Sequence, residues 1–502
     1  MRLRVFVPWI IALFIVPAIG LAPAALLAED PPEAEDTATA AAPPEPVTTE
    51  HEITLDDRSL AYRARVEVLE LTDGSGTPRG HLFTVAYMAD EEQGEAEDRP
   101  VTFFMNGGPG AASAYLHVGG LGPKTLRTDG MGQPVDGGTL EENLDTWLAF
   151  TDMVFLDPIG TGFSRPVEAG DDRYYGHDAD LDSLSQAIEL WLDGQDRRAS
   201  PVYLAGESYG GYRAAALPKR MMHDRGVQLA GTVLISPVID FSSIRHSPER
   251  PLSWALLLPS YAAAAAGHGK AESAEPEALS EFALTDYIAA LIHPERMEAL
   301  FPELAAMTGL DASFLRERRG RVGPNEFRRR LLADEGKVVS AYDGLLTVPD
   351  PTPSRAHVRV DQILDGMTPA YVTGFLDHLR RNLEWREGRD YTLLSRSVNR
   401  AWSYGLNGRQ GYLSAMEDLQ EVMALAPEFR VLTVHGESDL VTPWLASHWL
   451  LAQVNDALGG VEDRLAFARY SGGHMFYMRP DASTALARDA AAFYGAAVHE
   501  RE

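Results

Sequence analysis

The chain has 502 residues, with 44 Lys and Arg against 73 Asp and Glu, a net charge of −29, and 45% hydrophobic residues. That is enough apolar material for one large α/β domain with an insertion, or for two domains. The acidic balance argues against nucleic acid and anionic lipid as partners, and the absence of cysteine removes disulfides, thiolate metal sites and a cysteine nucleophile.

Arg2 and Arg4 precede an apolar run from Val5 to about Leu27, and a small-residue stretch ends at Ala28 before Glu29 and Asp30. This pattern predicts a secretory signal peptide over residues 1–28. An uncleaved membrane anchor is the rival, since the run is long enough to span a bilayer, but Pro8, Pro17 and Pro23 interrupt it. Without cysteine a lipoprotein anchor is excluded. The expected destination is the periplasm or the exterior, with no stable membrane insertion after cleavage. Residues 29–50 are rich in Ala, Pro, Glu and Thr and read as an extended or disordered linker.

The folded part is expected from residue 51. Leu60 to Leu71 and His81 to Met88 read as strands around the turn signal Asp73-Gly74-Ser75-Gly76, and antiparallel pairing at a sheet edge follows. Short continuous apolar runs come next: Val101 to Met105, Asp152 to Leu156, Pro201 to Ala205 and Gly231 to Ile235. Two more, Arg430 to Val434 and Leu465 to Tyr470, lie near the C-terminus. Such runs, with helical stretches between them, predict buried parallel strands. From about Pro237 to Ser395 strand-like runs are few, while Glu281 to Leu300 and Asp361 to Leu383 carry helical periodicity. Residues 237–395 are therefore expected as a helical insertion, between core segments 51–236 and 396–502. Arg316 to Arg330 holds seven arginines. The bland reading is a solvated helical face, and the sharper one a dock for an acidic partner. The histidines do not cluster at metal-ligand spacing, so no metal is expected.

The motif with most chemical content is Gly206-Glu207-Ser208-Tyr209-Gly210. It follows an apolar strand and precedes a plausible helix. A serine hydroxyl is a weak nucleophile until a base takes its proton, and a strand–turn–helix elbow thrusts it into a cleft. Such a serine needs an acid and then a histidine, in that chain order. Asp439 lies in the loop after one late strand, and His474 lies in Ser471-Gly472-Gly473-His474-Met475 after the next. Glu437 is the alternative acid, and His435 reads as structural. The N–H of Tyr209 is one expected oxyanion donor, and the glycine-rich loop Asn106-Gly107-Gly108-Pro109-Gly110 is expected to supply the second. Glu207 makes sense beside the nucleophile if it is protonated and can donate to a substrate carboxylate, which favours acidic pH. The alternative is an ordinary solvated or salt-bridged glutamate.

Together these motifs, with Asp157-Pro-Ile-Gly-Thr-Gly-Phe-Ser164 between them, resemble the serine carboxypeptidases, and run in that family's order from about residue 50 onward. The resemblance implies an α/β-hydrolase fold: a mixed, mostly parallel sheet with helices on both faces and a helical cap over the cleft. It implies Ser208, Asp439 and His474 as triad, Gly108 and Tyr209 as oxyanion hole, and Asn106 and Glu207 as binders of a peptide's terminal carboxylate. No cofactor is implied, and the segment from Asp157 to Ser164 is implied to be structural. A further glutamate, usual shortly after the glycine loop, is replaced by Gly120, and a tryptophan near the loop by Phe104. Eukaryotic members carry disulfides, so a cysteine-free exported chain looks bacterial. The expected activity is acyl-enzyme removal of C-terminal residues from peptides. An esterase or acyltransferase, and a non-catalytic exported binding protein, are the rival readings.

Overall fold

A computed structural model describes residues 42–55, 58–90, 98–355, 358, 361–405 and 410–495. The expected signal peptide and most of the expected linker lie outside them.

The first strands are long and antiparallel: β1 (Val47–Leu55), β2 (Arg58–Thr72) and β3 (Pro78–Ala89). Exposure alternates along β1 through its Glu50, His51 and Glu52, the mark of an edge strand with one wet face. Its start at Val47 is earlier than the expected onset near residue 51. A polar edge strand and a polar linker have similar composition, which is why the two merge in the sequence.

The later strands are short and buried on both faces: β4 (Val101–Met105), β5 (Asp152–Leu156), β6 (Val202–Glu207) and β7 (Gly231–Ile235). They are joined by β8 (Arg430–Gly436) and β9 (Leu465–Tyr470). The sheet order is β1-β2-β3-β5-β4-β6-β7-β8-β9. Pairing is parallel from β5 to β9 and antiparallel before it. Parallel strands buried on both sides need helices on both faces.

Those helices include α1 (His177–Gly194) and α2 (Tyr209–Asp224). Trp191 of α1 meets Phe103 of β4 edge to face, at 5.5 Å between ring centres. Between β7 and β8 the chain is mainly helical. It contains α3 (Leu258–Gly267), α4 (Met297–Thr308), α5 (Pro324–Arg330), α6 (Thr368–Arg381), α7 (Arg396–Ala401) and α8 (Met416–Leu425). The helical tract thus runs past residue 395, and α8 packs back on α2. After β8 and β9 come α9 (Trp444–Leu458) and α10 (Pro480–Tyr494). One apolar core holds α1, α2, α8 and α9 against one face of the sheet, and another holds α6 and α10 against the other. A third core, with Tyr261, Phe301 and Phe327, knits the insertion to Trp444 and Leu445 of α9.

The arginine stretch serves the insertion itself. Arg316 pairs with Glu298, Arg318 with Glu326, and Arg329 with Asp350. Arg328 is buried against Asp361 at 2.9 Å.

Candidate active site

Strand β6 ends at Glu207, and α2 begins at Tyr209. Ser208 between them has φ +61° and ψ −120°, a conformation that L residues rarely adopt. Sterics explain the flanking glycines. A Cβ on Gly206 would stand 1.9 Å from the Gly210 carbonyl oxygen, and one on Gly210 would stand 2.2 Å from that of Met105. Ser208 N–H donates to Ile235 O at 3.0 Å, tying the turn to β7.

The loop after β4 lies directly against this elbow. A Cβ on Gly107 would be 2.4 Å from Tyr209 N, and Gly108 has φ +99°. As the first residue of α2, Tyr209 offers one of the N–H groups that a helix start leaves without an intrahelical partner. The α2 side chain of Arg213 donates to the Asn106 carbonyl and forms a two-bond pair with Asp180 of α1, at 2.7 and 2.9 Å. Arg213 is fully buried. It therefore ties α2, the glycine loop and α1 together.

His474 follows β9, and its Nδ1 lies 2.7 Å from Asp439 Oδ2. Asp439 is wholly buried. Its Oδ1 accepts the N–H groups of Val441 and Thr442, at 2.8 and 3.0 Å. Thr442 Oγ1 lies 2.7 Å from Asp439 Oδ2 and 2.9 Å from Ser236 O. Burial alone would lower the His474 imidazole. The Asp439 charge and hydrogen bond outweigh it, so His474 holds its proton above the ordinary range. The insertion also grips His474. His474 N–H donates to Tyr342 O, the Tyr342 ring stands edge-on at 5.2 Å, and Asp343 binds both Ser438 Oγ and Arg479. Glu437 makes no hydrogen bond to His474; it lines a separate recess with Pro259 and Trp444. His435 is buried in the core, where desolvation drives it down to about 3.

Glu207 is buried, with each carboxyl oxygen engaged. Asn106 Nδ2 donates to Oε2, and Tyr477 OH donates to Oε1 at 2.9 Å. Burial pushes Glu207 above the ordinary carboxyl range, against the pull of His474, Tyr477 and Asn106. At Gly120, a Cβ would stand 2.7 Å from the Tyr477 carbonyl oxygen. Phe104 is buried, stacked on Phe155 at 4.8 Å and edge-on to Trp147 at 5.6 Å. Asp157 lies beneath the glycine loop, where its Oδ1 accepts Ser113 N–H at 2.8 Å.

One cleft of about 490 Å3 is lined by Gly107, Gly108, Glu207, Ser208 and His474. The structure thus brings these five to one surface, with Asp439 behind His474 and Asn106 behind Glu207. Sequence reasoning missed Tyr342, Asp343, Thr442, Arg213 and Tyr477. None of these carried a local signal in the sequence.

The family model described as serine carboxypeptidase matches residues 75–463. The chain belongs to the serine carboxypeptidase family. Serine carboxypeptidase-like 35 of Arabidopsis thaliana is 30% identical over 164 residues, 31% of this chain and 33% of that protein. The lysosomal protective protein of Mus musculus is 28% identical over 151 residues, 29% of this chain and 29% of that protein. The alignments thus span about a third of the length of these relatives. Among solved structures, the thioesterase domain from the curacin biosynthetic pathway is 15% identical, covering 84% of this chain and 97% of its own, at a TM-score of 0.33. As a serine carboxypeptidase family member, the chain has an α/β-hydrolase fold whose sheet carries the elbow at the carboxyl end of β6.

Proposed function

We propose that this protein is an exported serine-type carboxypeptidase that removes C-terminal residues from peptides. The observation that carries the reading is the 2.7 Å His474–Asp439 pair, facing the same cleft as the strained Ser208 and the buried Glu207. With Nδ1–H directed at Asp439, His474 keeps Nε2 as a base. Ser208 Oγ attacks the scissile carbonyl carbon as its proton passes to Nε2. The N–H groups of Gly108 and Tyr209 receive the oxyanion. The C–N bond breaks, and His474 gives its proton to the departing amine. Water then repeats the sequence on the acyl-enzyme and frees Ser208. A protonated, uncharged Glu207, backed by Asn106, lets the terminal carboxylate of the leaving residue bind there without repulsion.

The pH dependence has two limbs. His474 must be neutral to act as base, so activity rises as pH passes its raised value. Glu207 must be protonated to meet a carboxylate, so activity on free C-termini falls as pH passes its own raised value. Glu207→Gln stays neutral throughout. It is expected to keep acid activity and to raise activity near neutral pH relative to the parent, as measured by kcat/KM against pH. An unchanged profile would remove Glu207 from carboxylate recognition.

A panel of peptides varied at the C-terminus tests the main reading, assayed at acidic and neutral pH with Ser208→Ala as control. Release of single C-terminal amino acids is expected. Strong ester turnover without such release would instead make the protein an esterase or acyltransferase, and failure of Ser208 to react with a fluorophosphonate would make it a non-catalytic binder.

A further inference from the structure

The environment of Glu207 determines which of its oxygens can carry a proton. Asn106 Oδ1 accepts the Leu116 N–H at 3.0 Å, which orients the amide so that Nδ2 faces Glu207 Oε2. Oε2 is therefore permanently an acceptor, and a proton on Glu207 belongs on Oε1. That oxygen faces the Tyr477 hydroxyl. A phenol can donate to a carboxylate or accept from a carboxylic acid, so this one contact serves both states of Glu207 unequally. Donation to the charged form is the stronger bond.

Tyr477 is fixed rather than fortuitous. It is 1% exposed and sits on the tight turn Phe476–Met478. Its ring and that of Tyr371 pack over two glycines. A Cβ on Gly119 would lie 2.7 Å from Tyr371 OH, and one on Gly120 would lie 3.1 Å from Tyr477 Cδ2 as well as close to its carbonyl. A side chain at position 120 would force the Tyr477 main chain to shift and its ring to give by a few tenths of an ångström. Burial raises the phenol well above its usual range, so Tyr477 keeps its own proton and the pair has a single titrating site.

We propose that Tyr477 is the positioning residue that sets how readily Glu207 gives up its proton, and through it the pH range over which the cleft accepts a free C-terminal carboxylate. The inference rests on the carboxypeptidase reading for its substrate and on the contacts around Glu207 for its chemistry. The other ionisable groups close enough to act on Glu207 electrostatically are His474 and Asp439 from the loops after β9 and β8, Tyr342 and Tyr371 from the insertion, and Tyr115 from the segment after the glycine loop. All of them remain in a Tyr477 variant.

The sign follows from which state gains the stronger bond. Tyr477 favours the anion, so Tyr477→Phe should let Glu207 hold its proton to higher pH. A hydrogen bond to a charged group is worth enough to move the midpoint by about one pH unit. For peptides with a free C-terminal carboxylate, the alkaline limb of kcat/KM is expected to move up by that amount. Matching peptide esters, which lack the carboxylate, should keep their profile. Site-specific 2,3-difluorotyrosine at 477 preserves shape, donates more strongly, and should move the limb the other way; it also covers the case in which Tyr477→Phe fails to fold. A limb that stays still, or moves equally for both substrate types, overturns the proposal. Should the parent protein release no C-terminal residue at all, the carboxypeptidase reading fails separately. The Glu207 proton is then followed in the resting protein by infrared titration of the carboxylic acid C=O band, assigned by its loss in Glu207→Gln. An upward shift of that titration in Tyr477→Phe upholds the link between the two residues, and an unshifted one overturns it.

Discussion

Replacing Asp439 with asparagine is expected to lower kcat about ten-thousandfold while leaving the protein folded. The two carboxylate oxygens have different partners. Oδ1 accepts two backbone N–H groups, from Val441 and Thr442, so an amide must keep its oxygen there. The NH2 group then takes the position of Oδ2, facing His474 Nδ1 and Thr442 Oγ1. Thr442 can direct its proton to Ser236 O and accept one amide hydrogen, and His474 Nδ1 can accept the other. Every hydrogen bond is satisfied, which is why the fold survives. The cost falls on His474. With Nδ1 accepting, its proton moves to Nε2, and the nitrogen that should take the Ser208 proton already carries one. Burst kinetics with an activated ester would read the loss in acylation, and circular dichroism would check the fold. A loss under about tenfold would mean that Asp439 does not set the tautomer.

The largest expected loss of stability belongs to Arg213→Met, at about 3–5 kcal/mol. The arginine is fully buried in α2, and its side chain is the partner of buried Asp180. Methionine fills much of the volume but leaves a carboxylate stranded in the core. The midpoint of urea unfolding should fall with little change in slope. Adding Asp180→Asn removes the stranded charge and should recover a sizeable part of the loss. A double variant no more stable than Arg213→Met would show that lost packing, rather than the orphaned charge, is responsible. The same substitution also frees the Asn106 carbonyl. Its effect on KM should accordingly be larger for peptides with a free carboxylate than for esters.

The parts of this molecule that were legible in its sequence share a cause: they are dictated by short-range sterics. Gly206 and Gly210 are forced by backbone atoms about 2 Å from any added Cβ, so the elbow can be read from five residues. The runs from Val101 to Met105 and from Gly231 to Ile235 are apolar throughout because both faces are covered. Asp439 and His474 could be singled out because each sits just past the end of a strand, and the structure brings them within 2.7 Å of each other. The illegible parts depend on tertiary burial. Arg213 lies in a helix that also carries Lys219 and Arg220, and nothing local says that it alone points inward. Tyr477, between Phe476 and Met478, has the look of any core aromatic. Val47 to Glu50 alternate too weakly to separate an edge strand from the tail before it. The loop from Ser340 to Leu346 has no periodicity, yet it supplies Tyr342 and Asp343.

That last loop has a consequence for how the protein could be rebuilt. An insertion between two sheet strands could be pictured as an exchangeable module that leaves the reaction to the scaffold. Here Tyr342 O holds the backbone of His474, and Asp343 bridges Ser438 to Arg479 across the same turn. His474 is therefore a shared component, with its imidazole supplied by the scaffold and its main-chain anchor by the insert. A chimera that imports a foreign insert must import an equivalent of Tyr342 and Asp343 with it, or lose turnover along with the old specificity. The two parts are coupled at that seam, where the insert touches the histidine.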